Sequence, residues 1–177
     1  MVFLPDTRLY FLRHGLAGQF GDPQYKDDSL RPLTAQGKEK MHREAKGIQA
    51  LGLSFDAILS SPYLRAKQTA EIVAQAFKIK HKEIYLTNNL LPPASAKKLL
   101  KELHSRFPRS KNILLVGHEP HLTGLISSLL KSETPLNIEL KKGALCCIRL
   151  DQTSKGIYAS LIWLLSPQQL NALDPDF

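Results

Sequence analysis

The chain has few of the features that direct a protein into a membrane or out of the cell. No stretch of it approaches the ~20 consecutive apolar residues that a membrane-spanning helix needs. Its amino-terminal stretch lacks the basic start and the apolar core of a secretory signal. The only two cysteines, Cys146 and Cys147, are adjacent. Because neighbouring residues of a strand point to opposite faces, we expect no disulfide between them. We therefore expect a cytoplasmic protein with no membrane partner.

Acidic residues are also outnumbered, since the 177 residues include 24 Lys and Arg against 16 Asp and Glu, for a net charge of +8. A charge of this sign favours an anionic partner. The sequence has neither a basic block with interleaved aromatic residues nor a recognisable nucleic-acid-binding motif. We therefore expect an acidic protein or a phosphorylated substrate rather than nucleic acid. The length and the hydrophobic content of 43% suit one globular domain over residues 1–177, which we expect to be monomeric.

Short apolar runs alternate with helical periodicity along most of the chain. The runs predict buried strands at residues 9–12, 56–60, 83–86 and 112–116, with helices at residues 35–51, 62–77, 96–107 and 120–130. Residues 16–32, rich in Gly, Pro and Asp, predict a long loop. Two β-rich runs, 143–150 and 156–165, predict a terminal hairpin with its turn at 151–155. This order predicts an α/β fold, a three-layer α/β/α sandwich with a mostly parallel, mixed central sheet.

Polar residues of one chemical type follow three of the predicted strands. Arg13 and His14 come directly after the first strand, Arg65 lies just beyond the second, and His118 follows the fourth. Because parallel strands deliver their carboxyl ends to one edge of a sheet, these four side chains can converge. Two guanidinium groups beside helix amino termini would bind a tetrahedral dianion such as a phosphoryl group.

An imidazole in such a pocket can do more than bind. Its unperturbed pKa of about 6.5 leaves it mostly neutral at pH 7, with a lone pair available for attack. Flanking cations favour the neutral form and stabilise negative charge on the phosphoryl group in the transition state. These residues indicate nucleophilic phosphoryl transfer through a phosphohistidine. They do not by themselves identify the attacking histidine, although the tight turn at Gly15 favours His14 over His118.

Three motifs in this order resemble those of a known family. They are Leu9–Gly15, which ends in Arg-His-Gly, Ser-Pro-Tyr-Leu-Arg-Ala-Lys-Gln-Thr-Ala at residues 61–70, and Val-Gly-His-Glu-Pro at residues 116–120. Together with Arg-Pro-Leu-Thr-Ala-Gln-Gly at residues 31–37, they resemble the histidine phosphatase superfamily, whose fold is phosphoglycerate-mutase-like. The finer resemblance is to its short SixA-type phosphohistidine phosphatases, and it spans nearly the whole chain.

The resemblance implies a role for each of the four residues. His14 would be the nucleophile that takes the phosphoryl group, Arg13 and Arg65 would bind phosphate oxygens, and His118 would complete the pocket. It implies neither a metal nor an organic cofactor. His118 and His121 do have the spacing of zinc ligands on a helix. However, no carboxylate or thiol ligands accompany them, and two arginines in the pocket would repel a cation.

One departure from the family pattern bears on the substrate. Larger members supply a glutamate after the third strand as the general acid for a leaving alkoxide, whereas residues 87–93 of this chain contain no carboxylate. An imidazole leaving group is protonated readily near neutral pH and depends less on such an acid. We therefore expect a phosphohistidine phosphatase whose partner is a histidine-phosphorylated phosphotransfer protein.

Two alternatives remain open. A small-molecule phosphomonoesterase of the same superfamily would need an acid from the 16–32 loop, which offers Asp22, Asp27 and Asp28, or from Glu119. A phospho-ligand-binding module that has lost catalysis would bind the same phosphoryl group without turning it over.

Overall fold

The computed structural model describes residues 3–80, 83–93, 95–134, 136–154 and 156–174. In chain order the elements are β1 (Thr7–Arg13), α1 (Ala35–Ala50), β2 (Ala57–Ser60), α2 (Leu64–Ala76), β3 (Ile84–Leu86), α3 (Ala96–Arg106), β4 (Asn112–Gly117), α4 (His121–Leu129), β5 (Leu145–Thr153), β6 (Gly156–Leu165) and α5 (Pro167–Asn171). Short 3-10 helices lie at Asp28–Leu30 and Asn88–Leu90. Within these residues, no helix is long and apolar enough to cross a membrane.

The strands form one mixed sheet in the order β3-β2-β4-β1-β5-β6. The first four run parallel, whereas β5 is antiparallel to β1 and β6 is antiparallel to β5. The predicted α/β sheet is therefore confirmed. The hairpin is longer than predicted, since Asp151 pairs with Tyr158 and the strands continue to Thr153 and Gly156. The cross-strand pairs hold Asp151, a turn-forming residue, in the strand, where its carboxylate accepts a hydrogen bond from Arg149 at 3.1 Å.

Alternate residues of the strands pack against different helices. Leu9 and Phe11 belong to a core that includes residues of α3 and α4, whereas Tyr10 and Leu12 belong to a core with residues of α1, α2 and α5. This alternation is the period of two of a β-strand, and it produces the predicted three layers. Cys146 lies in the first core and its neighbour in the second, and both thiols are free, as we expected.

Side-chain caps fix the ends of several helices. The hydroxyl of Thr34 accepts a hydrogen bond from the Gly37 N–H at 2.9 Å, which starts α1 at the predicted position. Helix α2 begins at Leu64, two residues later than the proline that we expected in its first turn. Helix α5, which we did not predict, begins with a capping box between Ser166 and Gln169.

The 16–32 loop lies over the carboxyl edge of the parallel strands. Its two ends are held together by a bridge between Ala17 and Leu33 and by a hydrogen bond from the Gly18 N–H to the Pro32 carbonyl at 3.1 Å. The loop therefore leaves the sheet and returns to it at one place. This arrangement positions its 3-10 helix, Asp28–Leu30, above the residues described next.

Candidate active site

Three of the four predicted residues meet where β1, β2 and β4 end. The His14 N–H donates to the Gly117 carbonyl at 3.0 Å, which places His14 directly beside the start of the segment containing His118. The two imidazole rings have centroids 5.0 Å apart. Arg65 reaches them from the first turn of α2, where its Nε lies 3.3 Å from Nε2 of His14. All three side chains are at least nine-tenths buried.

The hydrogen bonds of His14 identify its reactive nitrogen. Its Nδ1 lies 2.7 Å from the carbonyl oxygen of Gly15, and a carbonyl can only accept, so Nδ1 carries the proton. Nε2 therefore holds the lone pair, and Nε of Arg65 donates to it. The Gly15 N–H is fixed in turn by the hydroxyl of Thr69 at 3.1 Å. The strand end thus presents one unprotonated nitrogen, in a fixed tautomer, toward Arg65.

The two histidines are held neutral. Burial, followed by the positive charges of Arg65, Arg13 and Lys142, lowers the pKa of His14 to about 3, although its bond to the neighbouring carbonyl opposes the shift. Burial also lowers the pKa of His118 to about 3, with the nearby His14 and Arg65 acting in the same direction. At neutral pH both rings are uncharged, which is the form that a nucleophile requires.

His118 is oriented by residues of the β2–α2 connection. Its Nε2 lies 2.7 Å from the hydroxyl of Ser61, and its ring centroid lies 5.1 Å from that of Tyr63. Tyr63 also stacks under Arg65, whose guanidinium carbon lies 5.0 Å from the phenol ring. Nδ1 of His118 is buried and has no hydrogen-bond partner in the described part of the chain. A buried nitrogen in this state is available to a ligand oxygen.

Arg13 lies at the same edge of the sheet, and its side chain contacts the segment that precedes β5. Its Nη1 donates to the Leu140 carbonyl at 2.9 Å, and its own carbonyl accepts from the Gly143 N–H at 3.0 Å. Its Nε is buried and, among the described residues, lacks a partner. Burial lowers the pKa of this guanidinium, and the charge of Glu119 opposes the shift. The positive charge of Arg13 acts on His14, so all four predicted residues belong to one electrostatic cluster.

An acidic residue of the 16–32 loop, Asp28, binds this cluster. Arg65 donates from Nη1 to the Asp28 carbonyl at 2.7 Å and from Nη2 to its carboxylate at 2.9 Å. Arg31 binds the same carboxylate through Nε at 2.9 Å and through Nη2 at 2.8 Å. Burial alone would raise the pKa of Asp28, but the hydrogen bonds and charges of Arg31 and Arg65 lower it below its usual range. Asp28 is therefore ionised and shared by two arginines.

The sequence patterns do not identify two further cations of the site. They are Arg31, which lies in the motif at residues 31–37, and Lys142, which precedes β5. Burial lowers the pKa of Lys142, and so do Arg13, Arg31 and Arg65, which places its ammonium in the same positive cluster. The predicted hairpin could have indicated Lys142. A strand antiparallel to β1 must begin beside the end of β1, so the residues just before β5 face the site.

The other candidate acids of the loop accept hydrogen bonds from nearby backbone N–H groups. The carboxylate of Asp22 accepts from the Gln24 N–H at 2.9 Å, and that of Asp27 accepts from the Ser29 N–H at 2.8 Å. These bonds to Ser29 also lower the pKa of Asp27. Both carboxylates therefore stabilise turns of the loop.

Two glutamates near the strand ends also accept hydrogen bonds. Glu119 accepts from the N–H of Thr123 at 3.1 Å and from its hydroxyl at 2.5 Å. Glu102, on α3, accepts from Thr87 at 2.6 Å and from Asn89 at 2.7 Å. Burial opposes the shift, but these hydrogen bonds lower the pKa of Glu102. Both carboxyl groups therefore accept hydrogen bonds from residues of their own surroundings.

His118 and His121 are directed toward different partners. In the part of the chain that the structure describes, no group of three or more His, Cys, Asp and Glu side chains could hold a metal ion. His121 is turned toward the 3-10 helix after β3, where its Nε2 lies 3.4 Å from the Asn89 carbonyl.

Comparison with known proteins gives a consistent set of relatives. A family model described as histidine phosphatase superfamily (branch 1) matches residues 9–90. An uncharacterized protein of Picosynechococcus is 38% identical over 143 residues, which is 80% of this chain and 84% of that protein. The phosphohistidine phosphatase SixA of Escherichia coli is 26% identical over 165 residues, or 92% of this chain and 96% of that protein.

Solved structures share the fold. The protein histidine phosphatase SixA complexed with tungstate superposes with a TM-score of 0.76 at 24% identity, over 93% of this chain and 99% of that one. A mycobacterial glucosyl-3-phosphoglycerate phosphatase complexed with inorganic phosphate superposes with a TM-score of 0.71 at 17% identity, over 92% and 99% of the two chains. At these identities the likeness concerns the fold, which is phosphoglycerate-mutase-like as predicted.

Proposed function

Because the chain belongs to the histidine phosphatase superfamily, we propose that it is a phosphohistidine phosphatase that acts on a histidine-phosphorylated phosphotransfer protein. The phosphoryl group would pass through a covalent intermediate on His14. Arg13 and Arg65 would bind its oxygens, and His118 would stabilise it during transfer. We propose no metal or organic cofactor for this reaction.

The observation that carries this proposal is the state of the carboxylates around the site. Each of those described above accepts hydrogen bonds from the protein, and the pKa values of Asp27, Asp28 and Glu102 are lowered. None of them is poised to protonate a leaving group. An alkoxide leaves poorly without a proton, whereas an imidazole nitrogen is basic enough to take one from solvent near neutral pH. The site therefore suits a phosphorus–nitrogen bond better than a phosphate ester.

In the first step, Nε2 of His14 attacks the phosphorus of the substrate's phosphohistidine. The new nitrogen–phosphorus bond forms as the bond to the substrate nitrogen breaks, and that nitrogen leaves with the electron pair and takes a proton from solvent. The guanidinium of Arg65 already lies beside Nε2. Its hydrogen bond to that nitrogen breaks as the lone pair attacks, and its N–H groups then bind the phosphoryl oxygens in place of the Asp28 carboxylate. The buried Nε of Arg13 and Nδ1 of His118 are free to bind the same oxygens.

In the second step, a water molecule attacks the phosphorus, the bond to Nε2 breaks, and inorganic phosphate leaves. Burial and neighbouring positive charge keep the pKa of His14 low, so the imidazole is a good leaving group in its neutral form. The bond from Nδ1 to the Gly15 carbonyl holds the ring in place through both steps. The cycle returns His14 to the tautomer from which it started.

A small-molecule phosphomonoesterase is the second candidate, and one contact favours it. The carboxylate of Asp28 lies 2.9 Å from the guanidinium of Arg65. If a bound phosphoryl group displaced that carboxylate, Asp28 would lie beside the leaving group and could take up a proton. Hydrolysis of esters would then depend on Asp28, whereas hydrolysis of a phosphohistidine would not.

The test is a paired assay on metal-free wild-type protein and on His14→Ala. A phosphotransfer domain phosphorylated on histidine is one substrate, and a panel of small phosphate esters is the other. We expect the wild type to prefer the phosphoprotein, His14→Ala to lose at least a thousandfold in rate, and rapid quenching to trap phosphate on His14 only in the wild type. His42→Ala, an exposed histidine on α1, is the control and should be fully active. A preference for esters would refute the proposed substrate.

A further inference from the structure

The most exposed large apolar side chains that the structure describes lie on the 16–32 loop. Phe20 is 77% exposed and Leu30 is 62% exposed, whereas the others, such as Leu161 on β6, are at most 46% exposed. Exposed single apolar residues are common on protein surfaces. These two differ because they lie in one loop and are both tied to the candidate active site.

Each of them is linked to the candidate active site through a neighbouring residue of the loop. Leu30 closes the 3-10 helix that begins at Asp28, and Asp28 binds Arg65 at 2.9 Å. The ring of Phe20 lies 5.9 Å from the guanidinium carbon of Arg31, which binds the same aspartate at 2.8 Å. Phe20 therefore lies against Arg31 and Leu30 directly precedes it in sequence, so both belong to the part of the loop that binds Arg65 through Asp28.

Because the two histidines are deeply buried, a protein substrate must contact the loop beside them. His14 and His118 are each only 5% exposed. A phosphohistidine carries its imidazole on a single methylene group, so its main chain must come close to the opening before the phosphorus can reach Nε2. A folded partner cannot do this without its surrounding surface contacting the loop.

The charge around the two apolar residues indicates the character of that partner surface. The loop itself is nearly balanced, with Lys26 and Arg31 against three aspartates. The exposed Lys142, by contrast, shares the positive charge of the three arginines at the site, and the chain as a whole carries a net charge of +8. A complementary surface has an apolar part for Phe20 and Leu30 and carboxylates where it faces Lys142.

We propose that Phe20 and Leu30 form the docking surface for the protein that carries the phosphohistidine, whose own surface presents an apolar patch bordered by carboxylates. This inference rests on the proposed function. The side chains of Phe20 and Leu30 add nothing to the chemistry of the reaction. They bind the protein part of the substrate, and a substrate without a protein part does not use them.

The experiment compares two substrates of the same bond type. One is a helical phosphotransfer domain phosphorylated on histidine, and the other is phosphoimidazole. Phe20→Ser, Leu30→Ser and the double variant are assayed with Leu161→Ser, which removes an exposed leucine from β6, as the matched control. We expect the double variant to lose about tenfold or more in kcat/KM on the phosphoprotein, mainly through KM. Turnover of phosphoimidazole by every variant should stay within about twofold of wild type.

The outcomes separate the docking surface from the function. Equal losses on both substrates would overturn the inference, since the loop would then shape the catalytic site, and no loss on the phosphoprotein would overturn it too. Light scattering provides a second check. If the wild type is a dimer that the double variant dissociates, the patch binds a second copy of the chain instead. Wild-type protein that hydrolyses phosphoimidazole but not the phosphoprotein would refute the proposed function itself.

Discussion

The guanidinium of Arg65 donates hydrogen bonds from all three of its nitrogens before any substrate binds. Nε is directed at Nε2 of His14, and both terminal nitrogens are directed at Asp28. The aspartate thus has two opposing effects on a phosphoryl group. It orients the arginine that would bind the group, and its negative charge occupies the place where phosphoryl oxygens would bind.

Replacing the carboxylate by an amide separates these two effects. Asp28→Asn keeps the shape and the backbone carbonyl that binds Arg65 but removes the negative charge. We expect inorganic phosphate to inhibit the variant about threefold to tenfold more tightly, because it no longer competes with a carboxylate for Arg65 and Arg31. The measurement is the product-inhibition constant at constant ionic strength. Weaker inhibition would mean that the charge of Asp28 is needed to orient Arg65.

The sequence could predict the residues at the strand ends but not their partner from the loop. Arg13, His14 and His118 follow apolar runs whose ends a parallel sheet must bring together. Asp28 lies in a stretch without periodicity, where three aspartates look alike in the sequence. Which of them faces Arg65 depends on how the loop folds back to Leu33, and no local pattern encodes that path.

At the level of elements, the packing of α1 against α5 depends on one glycine. A Cβ atom at Gly47 would lie 1.9 Å from the carbonyl oxygen of Leu170, so the two helices touch through their backbones. This close approach places α5 beneath α1 and buries Leu170 in the core formed with α1 and α2. The short helix gains its stability from that contact rather than from its own five residues.

Replacing this glycine should therefore be costly. Gly47→Ala forces α5 away from α1, and we expect a loss of about 1–3 kcal/mol in the free energy of unfolding. Gly124→Ala is the matched control, since a Cβ there meets no atom within 4 Å and the residue lies inside α4. That variant should be more stable by about 0.5–1 kcal/mol. Urea denaturation measures both, and a small effect at Gly47 would show that α5 moves freely.

The elements also show where periodicity stops being informative. Helix α1 was predictable because it is 16 residues long and has a threonine cap and a closing glycine. Helix α5 has only five residues, which is too short for an apolar repeat to appear. Its start is marked by the capping box between Ser166 and Gln169 and by Pro167 at the first helical position. Similarly, the turn residues 151–155 predicted a wider turn than the cross-strand pairs allow.

For the molecule as a whole, burial of ionisable groups makes stability depend on pH in two opposite ways. The pKa values of His14 and His118 are lowered to about 3 by burial, so the unfolded chain binds more protons than the folded chain below the usual histidine pKa. Their contribution to stability is complete above about pH 6.5 and is lost as the pH falls toward 3. The burial of these two neutral rings thus makes the fold less stable in acid.

Glu44 acts in the other direction. It is buried on α1 against the turn at Gly143, where a Cβ atom would lie 2.3 Å from its carboxylate. Burial raises its pKa to about 7, although the charge of Lys40 opposes the shift. The folded chain therefore holds a proton that the unfolded chain has lost. This contribution to stability is complete below about pH 4.5 and disappears as the pH rises through 7.

Glu44→Gln isolates this effect, because glutamine has nearly the same shape and does not titrate. We expect the stability of the variant relative to wild type to increase between pH 5 and pH 8, by up to about 3 kcal/mol, because only the wild type must bury a carboxylate at the higher pH. Urea denaturation of both proteins across this range gives the difference directly. A difference that does not change with pH would mean that Glu44 is already ionised at pH 5. The raised pKa would then be wrong, and the carboxylate beside Gly143 would have to be stabilised by solvent.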